Sequence, residues 1–194
     1  THADYALPAI EAGRAVLVEK PVDINLEKAR GLQQAANRKV VVAGVISQLR
    51  FEPSLMKARE LIRSGALGPL RDCSVVVRWP RSQDYYEGPG GWRPRRAQAG
   101  GGDLMPQGIH LVDLLHWYFG EIVSASGSCQ FPKTAPQAPD QVEDVFEGAI
   151  AFEGASARLH LSTRSGGRSW LGIMIVGART SLLATDHQLL RWKT

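Results

Sequence analysis

Glu19-Lys20-Pro21, His110 and a loop rich in arginine and aromatic residues are the parts of this 194-residue chain whose types and surroundings could do chemistry. Lys20 follows the apolar run Val16-Leu17-Val18, which reads as a strand, and ligands of open α/β sheets gather outside the carboxyl ends of such strands. An ammonium there faces a cleft; the alternative is a solvated lysine at a strand end. The Lys20–Pro21 bond is a candidate for the cis form, which about 5–6% of X–Pro bonds adopt. His110 could exchange a proton near neutral pH, although a lone helical histidine is more often a hydrogen-bonded structural residue. Pro106, His110, Asp113 and Trp117 share one stripe of a predicted helix. Gly100-Gly101-Gly102, just before it, would let another backbone or a ligand approach.

The loop carries Arg81, Tyr85, Tyr86, Trp92, Arg93, Arg95 and Arg96. Such a set could stack on single-stranded nucleic acid bases or hold a polar small molecule at a cleft rim. A net charge of only +4 favours the small molecule, so nucleic acid is not an expected partner. His110 and Asp113 could pair one turn apart, but further ligands for a metal are missing from the sequence pattern. The sequence holds no GxSxG, P-loop or zinc-ligand spacing.

These residues need elements to hold them. Thr1 to Asp4 reads as a capping box, Ala3, Leu7 and Ile10 recur at helical spacing, and Gly13 suits the position after a helix. Val16–Val18 and Val40–Ala43 then read as parallel strands buried on both faces, joined by a helix marked by Leu26, Ala29, Leu32 and Ala36. The first helix needs an earlier strand to pack on, so the chain is expected to start inside a doubly wound domain. Pro53 opens a helix that stops at Gly65, and residues 71–79 alternate as a half-exposed strand. Residues 80–102 read as a long loop and 103–119 as a helix. Strands follow at 122–131, 145–152, 157–162, 170–176, 181–184 and 189–192, with turns at Glu153-Gly154, Gly166-Gly167, Gly177-Ala178 and Asp186-His187. Residues 132–139 read as a Pro-rich loop, and consecutive short turns predict an antiparallel meander.

Composition bounds the class. With 44% apolar and 22% charged residues the chain is globular rather than disordered. No apolar run approaches the ~20 residues that cross a bilayer, so no membrane partner is expected. The first residues lack a basic and apolar leader. Cys73 and Cys129 are far apart without a CxxC, which predicts free thiols in a reducing compartment and hence a cytoplasmic location.

Three ordered motifs resemble the Gfo/Idh/MocA family of NAD(P)-dependent oxidoreductases: residues 12–21, ending in Glu19-Lys20-Pro21; residues 60–68, Glu60-Leu61-Ile62-Arg63-Ser64-Gly65-Ala66-Leu67-Gly68; and Gly100-Gly101-Gly102 leading to residues 108–115 with His110 and Asp113. Tyr85-Tyr86 and Gly91-Trp92-Arg93 resemble one branch of it. The resemblance implies α/β plus α+β: the last part of a Rossmann domain over residues 1–45, then an open, mainly antiparallel sheet domain with helices on one face over 46–194. It implies hydride transfer between NAD or NADP and a sugar, inositol or related polyol. Glu19, Lys20 and Pro21 would meet the cofactor, Lys20 the reacting hydroxyl, and His110 would act as acid or base. Trp92, Arg93, Tyr86 and Asp113 are the expected substrate-binding residues. Many members carry an acid four residues before the histidine, where this chain has Pro106; Asp103, about 10 Å from His110 along the axis, is a poor substitute. Lys20 is therefore expected to carry the proton and His110 to hydrogen-bond the substrate. The family's GxGxxG turn is not in the sequence, which predicts a truncated chain, roughly 70–90 residues short at its front, with impaired cofactor binding. The alternative is a non-catalytic module for sugar binding or assembly; in either case the open sheet face is expected to join copies of the chain into a homo-oligomer.

Overall fold

The computed structural model describes residues 1–88, 90–132, 140–164 and 167–194. Helix α1 (His2–Glu11) buries Ala3, Ala6 and Ile10, one helical face, and Gly13 turns the chain beyond it at φ +73°. The Asp4 carboxylate, in its first turn, accepts from Thr1 and from Lys28 Nζ at 2.7 Å. Strand β1 (Val16–Val18) pairs in parallel with β2 (Ala43–Val45) across helix α2 (Leu26–Lys39), whose N-terminus Asn25 caps by accepting from Lys28 N. β2 begins at the residue where the pattern predicted it to end. Val40 is taken up as the left-handed cap of α2, at φ +53°, and the chain needs Val41 and Val42 to turn back.

The two strands are not buried on both faces as expected. Both helices pack on one side, against Val16 and Val18. The other side leaves Leu17 71% and Val42 77% exposed.

Beyond a 3₁₀ turn (Gln48–Phe51), α3 (Pro53–Arg63) leads to β3 (Leu70–Arg78). The region expected as a plain loop contains two short helices, α4 (Gln83–Glu87) and α5 (Arg96–Ala99). The expected helix over 103–119 starts as a π-helical turn (Leu104–Gly108) before becoming α6 (Ile109–Phe119). Pro106 has no N–H for a regular first turn, and Gln107 N and Gly108 N both donate to the Asp103 carbonyl.

Strands β4 (Ile122–Gln130), β5 (Val145–Phe152), β6 (Ala155–Ser162), β7 (Trp170–Gly177), β8 (Thr180–Ala184) and β9 (Leu189–Lys193) complete a seven-stranded sheet of order β4-β5-β6-β3-β7-β8-β9. The meander is not continuous. β3 inserts between β6 and β7, parallel to the first (Val75↔Leu159) and antiparallel to the second (Val75↔Ile173). Its alternating Cys73, Val75 and Val77 make it a central strand, since that row is buried under α3 and α6 with Leu55, Leu111, Leu115, Leu161 and Ile173. Residues 133–139 of the predicted Pro-rich loop, and Gly166 of one predicted turn, lie outside the described residues.

The glycine run before the π turn serves backbone approach. A Cβ on Gly102 would lie 1.9 Å from the Glu143 carbonyl oxygen, and one on Gly108 2.5 Å from Leu161 Cδ1. These glycines let residues 102–108 lie directly on the sheet domain.

Candidate active site

β1 delivers Glu19-Lys20-Pro21 at its carboxyl end, where the Lys20–Pro21 peptide is cis. Lys20 Nζ donates to the Pro106 carbonyl at 2.6 Å, a link from the small sheet to the π turn of the large domain. A cleft of about 360 Å³ opens there, a size that suits a small ligand. Glu19, Lys20 and Pro21 line one side, Tyr85, Trp92 and Arg93 another, and Pro106 and Gln107 contribute to the wall. Burial lowers the pKa of Lys20 below the ordinary lysine value, the charge of Glu19 opposes that shift, and Arg81 adds to it.

Of the residues singled out from sequence, Glu19, Lys20, Pro21, Trp92 and Arg93 meet in this cleft. His110, Tyr86 and Asp113 are not among its lining residues. His110 is buried on α6, edge-on to Trp79 at 6.3 Å between ring centroids. Its pKa falls to about 4, first through burial and then through the nearby Lys20 ammonium, with Asp113 opposing; the imidazole is neutral at pH 7. Asp113 is held by Arg50 in a two-pronged ion pair at 2.8 and 2.6 Å. The Tyr86 hydroxyl lies 3.1 Å from Thr163 Oγ1, turned away from the cleft.

Tyr85 and Gln107 line the cleft without having been singled out as binding residues, and Gln107 Nε2 approaches the Tyr85 hydroxyl at 3.5 Å. Tyr85 and Tyr86 stand on α4, in a stretch the sequence pattern reads as loop, so the pattern did not choose between them. Consecutive residues on a helix point about 100° apart, so only one of Tyr85 and Tyr86 could face the ligand. Gln107 precedes His110 by one turn.

Asp103 is the other unusual group. It is 1% exposed, and among the described residues neither carboxylate oxygen meets a hydrogen-bond partner. Burial first, then Glu143 and Asp144, push its pKa up to about 7. Glu143 is spent on the π turn, accepting from Asp103 N and Leu104 N, and Asp144 is paired with Arg164.

Comparison with known proteins gives this arrangement a context. The model of the GFO/IDH/MocA C-terminal domain matches residues 55–183. The chain belongs to the GFO/IDH/MocA oxidoreductase family. A second family model, described as an oxidoreductase family with an NAD-binding Rossmann fold, matches residues 1–47. A 1,5-anhydro-D-fructose reductase of Ensifer adhaerens is 31% identical over 163 residues, 82% of this chain and 46% of that protein. The scyllo-inositol 2-dehydrogenase (NAD(+)) of Bacillus subtilis is 31% identical over 137 residues, 66% of this chain and 35% of its own length. The WlbA dehydrogenase of Bordetella pertussis, solved with NADH and UDP-GlcNAcA, superimposes with a TM-score of 0.87 at 26% identity, over 99% of this chain and 58% of its own. The chain spans about half the length of the first curated relatives it matches. No helix among the described residues is long and apolar enough to cross a membrane.

Proposed function

We propose that this chain takes part in NAD(P)-linked oxidation or reduction at a hydroxyl-bearing carbon of a sugar, inositol or related polyol. The observation that carries the reading is the Lys20 ammonium, anchored at 2.6 Å on the Pro106 carbonyl and open to a cleft between two sheets. The names of the reductase and dehydrogenase relatives support the reaction class. A dinucleotide fits at the carboxyl end of a parallel strand pair, and Glu19, Lys20 and Pro21 are the residues here that would meet it. When bound, it exchanges a hydride with the substrate carbon.

The chain's own task is the proton. In the oxidation direction the neutral Lys20 amine takes the hydroxyl proton and becomes the ammonium; in reduction it returns it. Burial of Lys20 raises the fraction of free amine near neutral pH. His110, neutral above about pH 4 and buried behind the cleft lining, carries no charge there and leaves the proton to Lys20. Trp92 and Arg93 hold the sugar, while Asp113 and Tyr86, engaged by Arg50 and Thr163, stand outside the cleft lining.

The domain boundary belongs at 45/46, between the β1–β2 unit and the sheet domain. The GxGxxG turn is not among the 194 residues, so this stretch alone binds the dinucleotide weakly. A reducing, cytoplasmic setting suits the two free thiols of Cys73 and Cys129. A second reading, sheet-mediated assembly without catalysis, is favoured by the uncovered sheet face, where Trp170, Met174, Leu190 and Trp192 are 38–54% exposed. A second copy of the chain is the partner expected there under both readings.

The test is NAD(P)-linked turnover of a panel of inositols, hexoses and anhydro sugars by the natural full-length protein and its Lys20→Met variant. Loss of about 10²- to 10⁴-fold is expected. Turnover unchanged by the substitution would contradict the assignment, and absence of turnover across the panel would favour the assembly reading.

A further inference from the structure

Two guanidinium groups lie against one aromatic ring beside the cleft. Arg81 Cζ is 5.2 Å and Arg93 Cζ 4.7 Å from the centre of Tyr85, and Arg93 is also 4.8 Å from the centre of Trp92. Both rings lie within cation–π distance of the Arg93 guanidinium. Among the described residues its hydrogen bond is a long one, to the Tyr85 carbonyl at 3.4 Å. Arg81 donates to the Pro80 carbonyl at 3.2 Å, and its buried Nε has no acceptor. Lys20, the third cation, is bonded among the described residues to the Pro106 carbonyl alone.

Among the described residues, no carboxylate oxygen lies within 4.0 Å of these three cations. Arg50 and Arg164, elsewhere in the sheet domain, are each gripped by both oxygens of an aspartate. Acids near the cleft do not fill the gap. Asp23 is committed to the backbone N–H groups of Ala3 and Asn25 at 3.2 and 2.9 Å. Asp103, with a pKa pushed up to about 7, carries only part of a charge at neutral pH. Glu19 offsets Lys20 without touching it. A guanidinium that lines a cleft and has no carboxylate partner among the described residues is suited to receive a planar or tetrahedral oxyanion.

We propose that the substrate carries a carboxylate or phosphoryl group received by Arg93, with Arg81 and Lys20 adding attraction, so that the substrate class is a sugar acid or sugar phosphate. The inference rests on the oxidoreductase reading and narrows its substrate. An oxyanion could also come from the dinucleotide; the substrate is the source argued here because Arg93 and Lys20 line the same cleft.

The experiment measures binding of D-glucuronate, D-glucose 6-phosphate and D-glucose to the natural protein by calorimetry, with NADH binding measured in parallel. At low ionic strength one anionic sugar is expected to bind at least about tenfold tighter than D-glucose. That ratio should shrink as salt is added, a readout that needs no variant. Arg93→Gln should bring it to within about twofold, Arg93→Lys should retain part of it, and NADH affinity should stay constant in both. Equal binding of acid and neutral sugar overturns the proposal. So does a ratio that survives Arg93→Gln, a loss in NADH binding with the ratio intact, or no sugar binding at all. If neutral polyols are turned over in a Lys20-dependent way while anionic sugars gain nothing, the oxidoreductase reading stands and this narrowing of it falls.

Discussion

Leu17 in the two-stranded sheet is 71% exposed, whereas Leu161 in the seven-stranded sheet is fully buried, although both are strand leucines. The difference lies in what surrounds each strand. Leu161 faces α3 and α6 and a row of inward side chains from several neighbouring strands. Leu17 points to the side of β1 that neither α1 nor α2 covers. Apolar character therefore marks a strand but does not set its burial. The comparison also explains the position of the candidate site. Lys20 ends the lightly covered unit, and its ammonium is steadied by a carbonyl from the densely packed one.

The contrast is open to direct attack. Leu115→Ala, in the core beneath the large sheet, should cost about 2–5 kcal/mol in urea unfolding. A cost below about 1 kcal/mol would show that this core is looser than its burial implies. Asp103→Asn probes the same domain through pH. The folded pKa of Asp103, about 7, lies above its unfolded value of 3.8, so its stabilising contribution is complete below pH 3.8 and is lost as pH rises through 7. The Asn variant should therefore match the parent near pH 3 and be more stable at pH 8, with a ceiling of about 4 kcal/mol. A variant less stable at pH 8 would mean that the carboxylate is paired. In the 194-residue chain by itself, Leu17→Ala should change stability by no more than about 0.5 kcal/mol, and a loss as large as that of Leu115→Ala would erase the distinction between the two sheets.

Much of this architecture was legible in the sequence because it follows from local pattern. The βαβ order of β1, α2 and β2, the alternation along β3 and the short turn at Gly154 are all set by nearest neighbours. The misplacements have specific causes. β2 shifted because a valine, Val40, adopts a left-handed cap where a glycine would have announced the turn. The insertion of β3 between β6 and β7 depends on pairing across more than eighty residues, which periodicity does not encode. In the site, the motif residues Glu19, Lys20 and Pro21 were readable because they end a strand. Engagement of Asp113 by Arg50, 63 residues away, was not, nor was the choice of Tyr85 over Tyr86 at the cleft. The glycines at 100–102 admitted a backbone or a ligand equally well, and Gly102 meets backbone, the Glu143 carbonyl.

The central claim is that Lys20 moves the substrate proton, and the pH dependence of NAD(P)-linked turnover in the natural protein and in Lys20→Met tests it most directly. The account predicts that oxidation by the parent rises with pH and levels off below 10.5, the ordinary lysine value, because burial lowers the pKa of Lys20. Lys20→Met should lose that limb together with about 10²- to 10⁴-fold in rate. The same limb and the same rate in Lys20→Met would contradict it.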